Sequence, residues 1–67
     1  MIILFSTESC PRCAVLRKKL EQKNIPFQET HDLEEVINLG YKSAPILKID
    51  GNTYLQLKEA NEYIKML

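Results

Sequence analysis

The chain has 67 residues, nine of them Lys or Arg and nine Asp or Glu, for a formal net charge of zero. At this length residues 1–67 are expected to form one small domain, in which a single core leaves a few kcal/mol of net stability at most. Charges of both signs are interspersed, which argues against a nucleic-acid footprint or a polybasic membrane patch. No apolar stretch approaches spanning length, and Met1-Ile2-Ile3-Leu4-Phe5 lacks the features of a signal peptide, so a soluble, cytoplasmic monomer is expected.

Residues 2–6 read as a strand, because an apolar run (Ile2, Ile3, Leu4, Phe5) is followed by the polar Ser6-Thr7-Glu8-Ser9. From about residue 11 to 23, Ala14, Leu16 and Leu20 alternate with Arg17, Lys18, Lys19, Glu21 and Lys23 at helical spacing. Asn24 suits the end of that helix, and Ile25-Pro26-Phe27-Gln28-Glu29 resumes an extended pattern. The first unit is therefore strand-helix-strand, with a parallel, right-handed crossover. Asp32 is expected to cap a short helix with apolar positions Leu33, Val36 and Ile37, ended by Gly40. Pro45 then opens Ile46-Leu47-Lys48-Ile49, an Asp50-Gly51 turn follows, and Thr53-Tyr54-Leu55 completes an antiparallel hairpin. Leu57, Ala60, Tyr63, Ile64 and Leu67 recur at helical spacing, with Lys58, Glu59, Glu62 and Lys65 on the outer face, so the chain closes on an amphipathic helix.

The only two cysteines stand as Cys10-Pro11-Arg12-Cys13, between the first strand and the first helix. At the cap of a helix, the Cys10 sulfur faces unpaired N–H groups and the positive end of the helix dipole, both of which favour thiolate over thiol. Pro11 suits the first helical position, where its preset φ helps and its missing N–H is not needed. Cys13 falls one turn on, within disulfide reach. Thiol–disulfide exchange needs this arrangement: one thiolate attacks and a second thiol resolves the mixed disulfide. Arg12 adds positive charge beside the pair and Glu8 opposes it. Cys10 is thus the expected nucleophile and Cys13 the resolving thiol, with no tightly bound cofactor.

A metal or iron–sulfur/copper carrier using the same sulfurs is the rival reading. A tetrahedral site needs four ligands, and beyond the two cysteines the chain offers His31 and carboxylates, so a dimer or external thiols would have to complete it. Small copper chaperones share the motif's position, but they carry methionine where Glu8 stands and end in a strand. Otherwise His31 reads as a loop or cap residue, and Arg17-Lys18-Lys19 as a solvated helix face. Tyr54 and Tyr63 read as packing residues, while Tyr41 is the tyrosine placed to border the site.

The order βαβαββα, a compact mixed four-stranded sheet flanked by helices, resembles the glutaredoxins and the glutaredoxin-like redoxins that serve ribonucleotide reductase, in the thioredoxin fold. Cys10-Pro11-Arg12-Cys13 after a strand, Ser43-Ala44-Pro45 before another, and the Asp50-Gly51 hairpin before a terminal helix carry the resemblance, which covers essentially the whole chain. It implies a thiol–disulfide oxidoreductase serving electron transport and cell redox homeostasis. Its partners would be protein disulfides, with glutathione as co-substrate or thioredoxin reductase as donor. It also implies a cis Ala44-Pro45 bond beside Cys10, with the Ala44 backbone pairing with the substrate and Ser43 alongside. Glutathione-using members carry a lysine where Thr7 stands, paired glycines near Leu55-Gln56 and an acidic pair near Lys58-Glu59. By that resemblance Glu59 can meet the glutathione amino group, Lys58 has the wrong charge, and Lys42 is placed to meet a glycyl carboxylate. The aromatic-glycine-phenylalanine stretch of redoxins served by thioredoxin reductase is also missing.

Overall fold

In the computed structural model, which describes residues 2–67, the elements are β1 (Ile2–Phe5), α1 (Pro11–Gln22), β2 (Phe27–Thr30), α2 (Glu34–Asn38), β3 (Ile46–Lys48), β4 (Tyr54–Leu55) and α3 (Leu57–Met66). The four strands form one sheet in the order β2-β1-β3-β4. β1 runs parallel to β2, with Ile2 opposite Phe27 and Phe5 opposite Thr30, and antiparallel to β3, with Leu4 opposite Leu47. β4 closes the hairpin against β3. The expected βαβαββα order and mixed sheet are present, with strand ends shifted by a residue or two.

Side-chain alternation along β1 divides the core in two. Leu4 joins Leu16 and Leu20 of α1, Leu47, and Ala60 and Ile64 of α3, all buried on one side of the sheet. Phe5 joins Ile46 and Val36 of α2 in a smaller cluster, with Ile3, Leu33, Tyr41 and Tyr54 against it. Helices α1 and α3 thus share one face, where their apolar stripes meet, and the Lys19 ammonium donates to the Asn61 side chain between them.

Several local expectations change at this level. Ile37 is 60% exposed and Leu67 55% exposed, because α2 is too short to turn a second apolar row inward and α3 ends at Met66. Asp32 does not sit at the cap position of α2, which belongs to Leu33; its carboxylate accepts from the Glu34 N–H at 3.1 Å in the turn just before. The turns follow the chemistry of their residues. Asn24 takes φ 56° after α1, Gly40 takes φ 98° after α2, and Gly51 takes φ 91° in the hairpin. Asp50 accepts from the Asn52 and Thr53 N–H groups across that hairpin turn. Among the described residues no helix is long and apolar enough to cross a membrane.

Candidate functional site

Cys10 occupies the cap of α1 in extended backbone (φ −117°, ψ 100°), and Pro11 is the first helical residue. The Cys13 N–H donates to the Cys10 sulfur at 3.0 Å, and the Cys10 carbonyl accepts from Ala14 at 3.2 Å. No acidic residue lies in the first turn of α1, so nothing there opposes negative charge on that sulfur. An N–H aimed at sulfur at the positive end of a helix stabilises a thiolate. The two cysteines are joined as a disulfide with Cα atoms 5.2 Å apart. Cys10 is partly exposed and Cys13 fully buried, an asymmetry that leaves Cys10 the sulfur open to an incoming partner.

A groove of about 260 Å³ lies beside this helix start, lined by Arg12, Ser43, Ala44, Pro45, Gln56, Leu57, Lys58 and Glu59. Three separate segments meet there: the residue between the cysteines, the loop before β3, and the first turn of α3. The Ala44–Pro45 bond is cis, Pro45 is buried and Ser43 is exposed. Of the residues singled out from sequence, Arg12, Ser43, Ala44, Pro45, Gln56, Lys58 and Glu59 are brought together here; Lys42 is exposed and does not line the groove. Leu57, read from sequence as a core-facing helix residue, joins the lining because α3 starts against the Pro45 loop, a tertiary contact that no local pattern marks. Neither cysteine lines this groove, which reaches the motif through Arg12; a larger hollow of about 520 Å³, lined by Ile3, Phe5, Asp32 and Glu35 among others, contains neither a residue of the motif nor Pro45.

The glutaredoxin family model matches residues 2–54 of the chain. The chain belongs to the glutaredoxin family. The four-stranded mixed sheet with its three helices is accordingly a thioredoxin-like fold, and the protein is a glutaredoxin-like thiol–disulfide oxidoreductase. Among its relatives is an uncharacterized glutaredoxin-like 8.6 kDa protein in the rubredoxin operon of Clostridium pasteurianum, 33% identical over 90% of this chain and 89% of that protein. The glutaredoxin-like protein NrdH of Lactococcus lactis, from two strains, is 29% identical over 75% of this chain and 78% of its own length.

Other residues fall elsewhere than their sequence context suggests. Tyr41 does not line the groove; its ring packs against Tyr54, centroids 6.1 Å apart, on the α2 side of the sheet. There Tyr54 and Lys48 both donate to the Glu35 carboxylate, Lys48 at 2.7 Å. These bonds lower the Glu35 pKa, with Lys48 the larger cause, and raise those of Lys48 and Tyr54. His31 is exposed beyond β2. Among the described residues no group of three or more His, Cys, Asp or Glu is arranged to hold a metal ion, so a metal bound by the two sulfurs would need ligands from outside that set.

Arg17 is the clearest departure from a solvated helix face. Its guanidinium donates to both carboxylate oxygens of Glu29, Nε at 2.7 Å and Nη2 at 2.5 Å, and the fully buried Ser6 hydroxyl donates to the same carboxylate at 2.6 Å. The Arg17 hydrogen bond, aided by Ser6, brings the Glu29 pKa from an ordinary 4.5 down to about 2, and Glu29 in turn raises that of Arg17. The signal available in the sequence was slight: a serine ending an apolar strand, and a glutamate two residues after Phe27, hence on the same face of β2.

Proposed function

We propose that the protein reduces protein disulfides or glutathione mixed disulfides through a dithiol cycle of Cys10 and Cys13, in a reducing compartment such as the cytoplasm. The observation that carries this reading is the sulfur of the partly exposed Cys10, at the helix cap and accepting the Cys13 N–H at 3.0 Å, with Arg12 of the same motif and cis-Pro45 lining one groove. The Cys10 thiolate attacks one sulfur of the substrate disulfide, forming a mixed disulfide and releasing the other sulfur as a thiolate, which takes up a proton. Cys13 then gives up its proton and attacks the Cys10 sulfur, which releases the second substrate thiolate and closes the Cys10–Cys13 disulfide. Two electrons have passed to the substrate. Two glutathione thiols or a reduced dithiol enzyme return them.

Within the groove, the Ala44 backbone and Ser43 align the incoming chain. Arg12 and Lys58 favour substrates bearing carboxylates near the reactive sulfur, and Glu59 is the lining residue suited to an amino group. The likeness to NrdH proteins supports electron delivery to reductive enzymes, ribonucleotide reductase being the case implied by the family resemblance.

The deciding experiment follows reduction of the oxidised protein with NADPH, once through glutathione and glutathione reductase and once through thioredoxin reductase, followed by transfer to a protein disulfide. Turnover through at least one donor, lost in Cys10→Ser, is expected. A Cys13→Ser protein is expected to accumulate the mixed disulfide. Protein-disulfide reduction undiminished in Cys10→Ser would overturn the assignment.

A further inference from the structure

The Glu29 carboxylate accepts hydrogen bonds from residues on both sides of the Cys10–Cys13 segment. Ser6 lies four residues before Cys10 and Arg17 four residues after Cys13, and both donate to Glu29 on β2. Ser6 is tied to β2 a second time, through its N–H to the Thr30 carbonyl at 3.0 Å. Arg17 is one turn beyond Cys13, the spacing at which helix residues share a face. The Arg17 side chain is 35% exposed and that of Glu29 22%, so the pair is partly withdrawn from solvent. Glu21 and His31 are the other charged or titratable groups acting on it, and Arg12 and Glu8 are the ones nearest the cysteines in sequence.

We propose that the Ser6–Glu29–Arg17 brace is a positioning device that holds the Cys10 sulfur at the cap of α1 when the disulfide is open, and so sets the thiolate character of Cys10 and the redox equilibrium of the pair. In the oxidised protein the covalent bond keeps Cys10 against the helix start. In the dithiol that bond is gone, and the entry loop is held to the helix through the brace. Loosening it costs the reduced form its N–H contact to sulfur more than it costs the oxidised form. This inference rests on the dithiol reading of Cys10 and Cys13, but it is read on the isolated protein without enzymes or a protein substrate.

Geometry and charge give opposite patterns. If Arg17 and Glu29 acted on the sulfurs only as charges, removing the cation would raise the Cys10 pKa and removing the anion would lower it. A brace requires both changes to move it the same way. The test equilibrates wild type, Glu29→Gln, Arg17→Met, Arg17→Lys and Ser6→Ala in glutathione buffers. In that equilibrium two glutathione thiols reduce the pair, giving up two electrons and two protons to form glutathione disulfide. The pH dependence of Cys10 alkylation is measured alongside, with urea unfolding as a control.

Expected for both Glu29→Gln and Arg17→Met are a shift of about threefold or more toward the disulfide, equivalent to about 14 mV, and a rise of about half a unit in the alkylation midpoint. Arg17→Lys, which keeps the charge but not the bidentate fork, falls between Arg17→Met and wild type. Should Glu29→Gln fail to fold, Arg17→Lys and Ser6→Ala carry the test, each shifting in the same direction by a smaller factor. Opposite signs for the two charge removals, or lowered stability with an unchanged equilibrium and alkylation midpoint, would overturn the brace. Loss of enzymatic turnover with these shifts intact would instead count against the proposed function.

Discussion

The two faces of the sheet are built to different standards. On one, Leu4, Leu16, Leu20, Leu47, Ala60 and Ile64 form a closed layer under two helices of three turns or so. On the other, Phe5, Val36 and Ile46 are covered by the five residues of α2, with Ile37 and Leu39 left exposed and Glu35, Lys48 and Tyr54 finishing the surface in polar contacts. The difference follows the chemistry. The dense face carries α1 and its cysteines, whose sulfur-to-N–H geometry must survive repeated opening of the disulfide. The thin face has only to hold the chain running into Pro45.

The largest effect that sharpens this contrast is on activity: Cys10→Ser on the dense face is expected to reduce disulfide turnover to background, while Tyr41→Phe on the thin face leaves it within about twofold, since the Tyr41 ring does not line the groove. Steady-state rates with a protein disulfide check both. Next comes stability. Leu16 is fully buried, so Leu16→Ala is expected to cost about 3 kcal/mol, and Val36→Ala, on the thin face, about half of that. Urea unfolding midpoints with unchanged slopes would establish the order, and equal losses would break the comparison.

Acid behaviour comes third. Glu29 has its pKa lowered to about 2, so its contribution to stability is fully present above the ordinary value of 4.5 and is lost as pH falls from about 5 toward 2. That contribution is at most about 3 kcal/mol, reduced by solvent screening on the exposed side of Arg17. Denaturant midpoints across this range should fall for the wild type and fall less for Glu29→Gln. The smallest effect belongs to the thin face again: Ile37→Ala, at a position 60% exposed, is expected to change stability by no more than about 0.5 kcal/mol.

Periodicity and turn chemistry made most of the architecture legible. The apolar run of β1, the helical spacing in α1 and α3, and the positive-φ positions at Asn24, Gly40 and Gly51 are local properties, so each could be read without its neighbours. The same holds for the redox pair, since Cys10-Pro11-Arg12-Cys13 carries its own cap and its own spacing. Partnership between distant residues was not legible. Arg17 looked like part of a wet lysine-rich face until β2 placed Glu29 beside it, and Tyr41 looked close to the site until Tyr54 drew its ring to the other side of the sheet.

By itself, then, the sequence determined the element order, the identity of the two reacting sulfurs and which of them heads a helix, because hydrophobic period, capping and disulfide reach all act over a few residues. Only the tertiary structure decided which side chains line the groove, that Lys42 is not among them, and that one carboxylate on β2 accepts from both Ser6 and Arg17. Those outcomes depend on how β1, β2, α1 and α3 come together, and contacts between residues far apart in the chain leave no period in it to read.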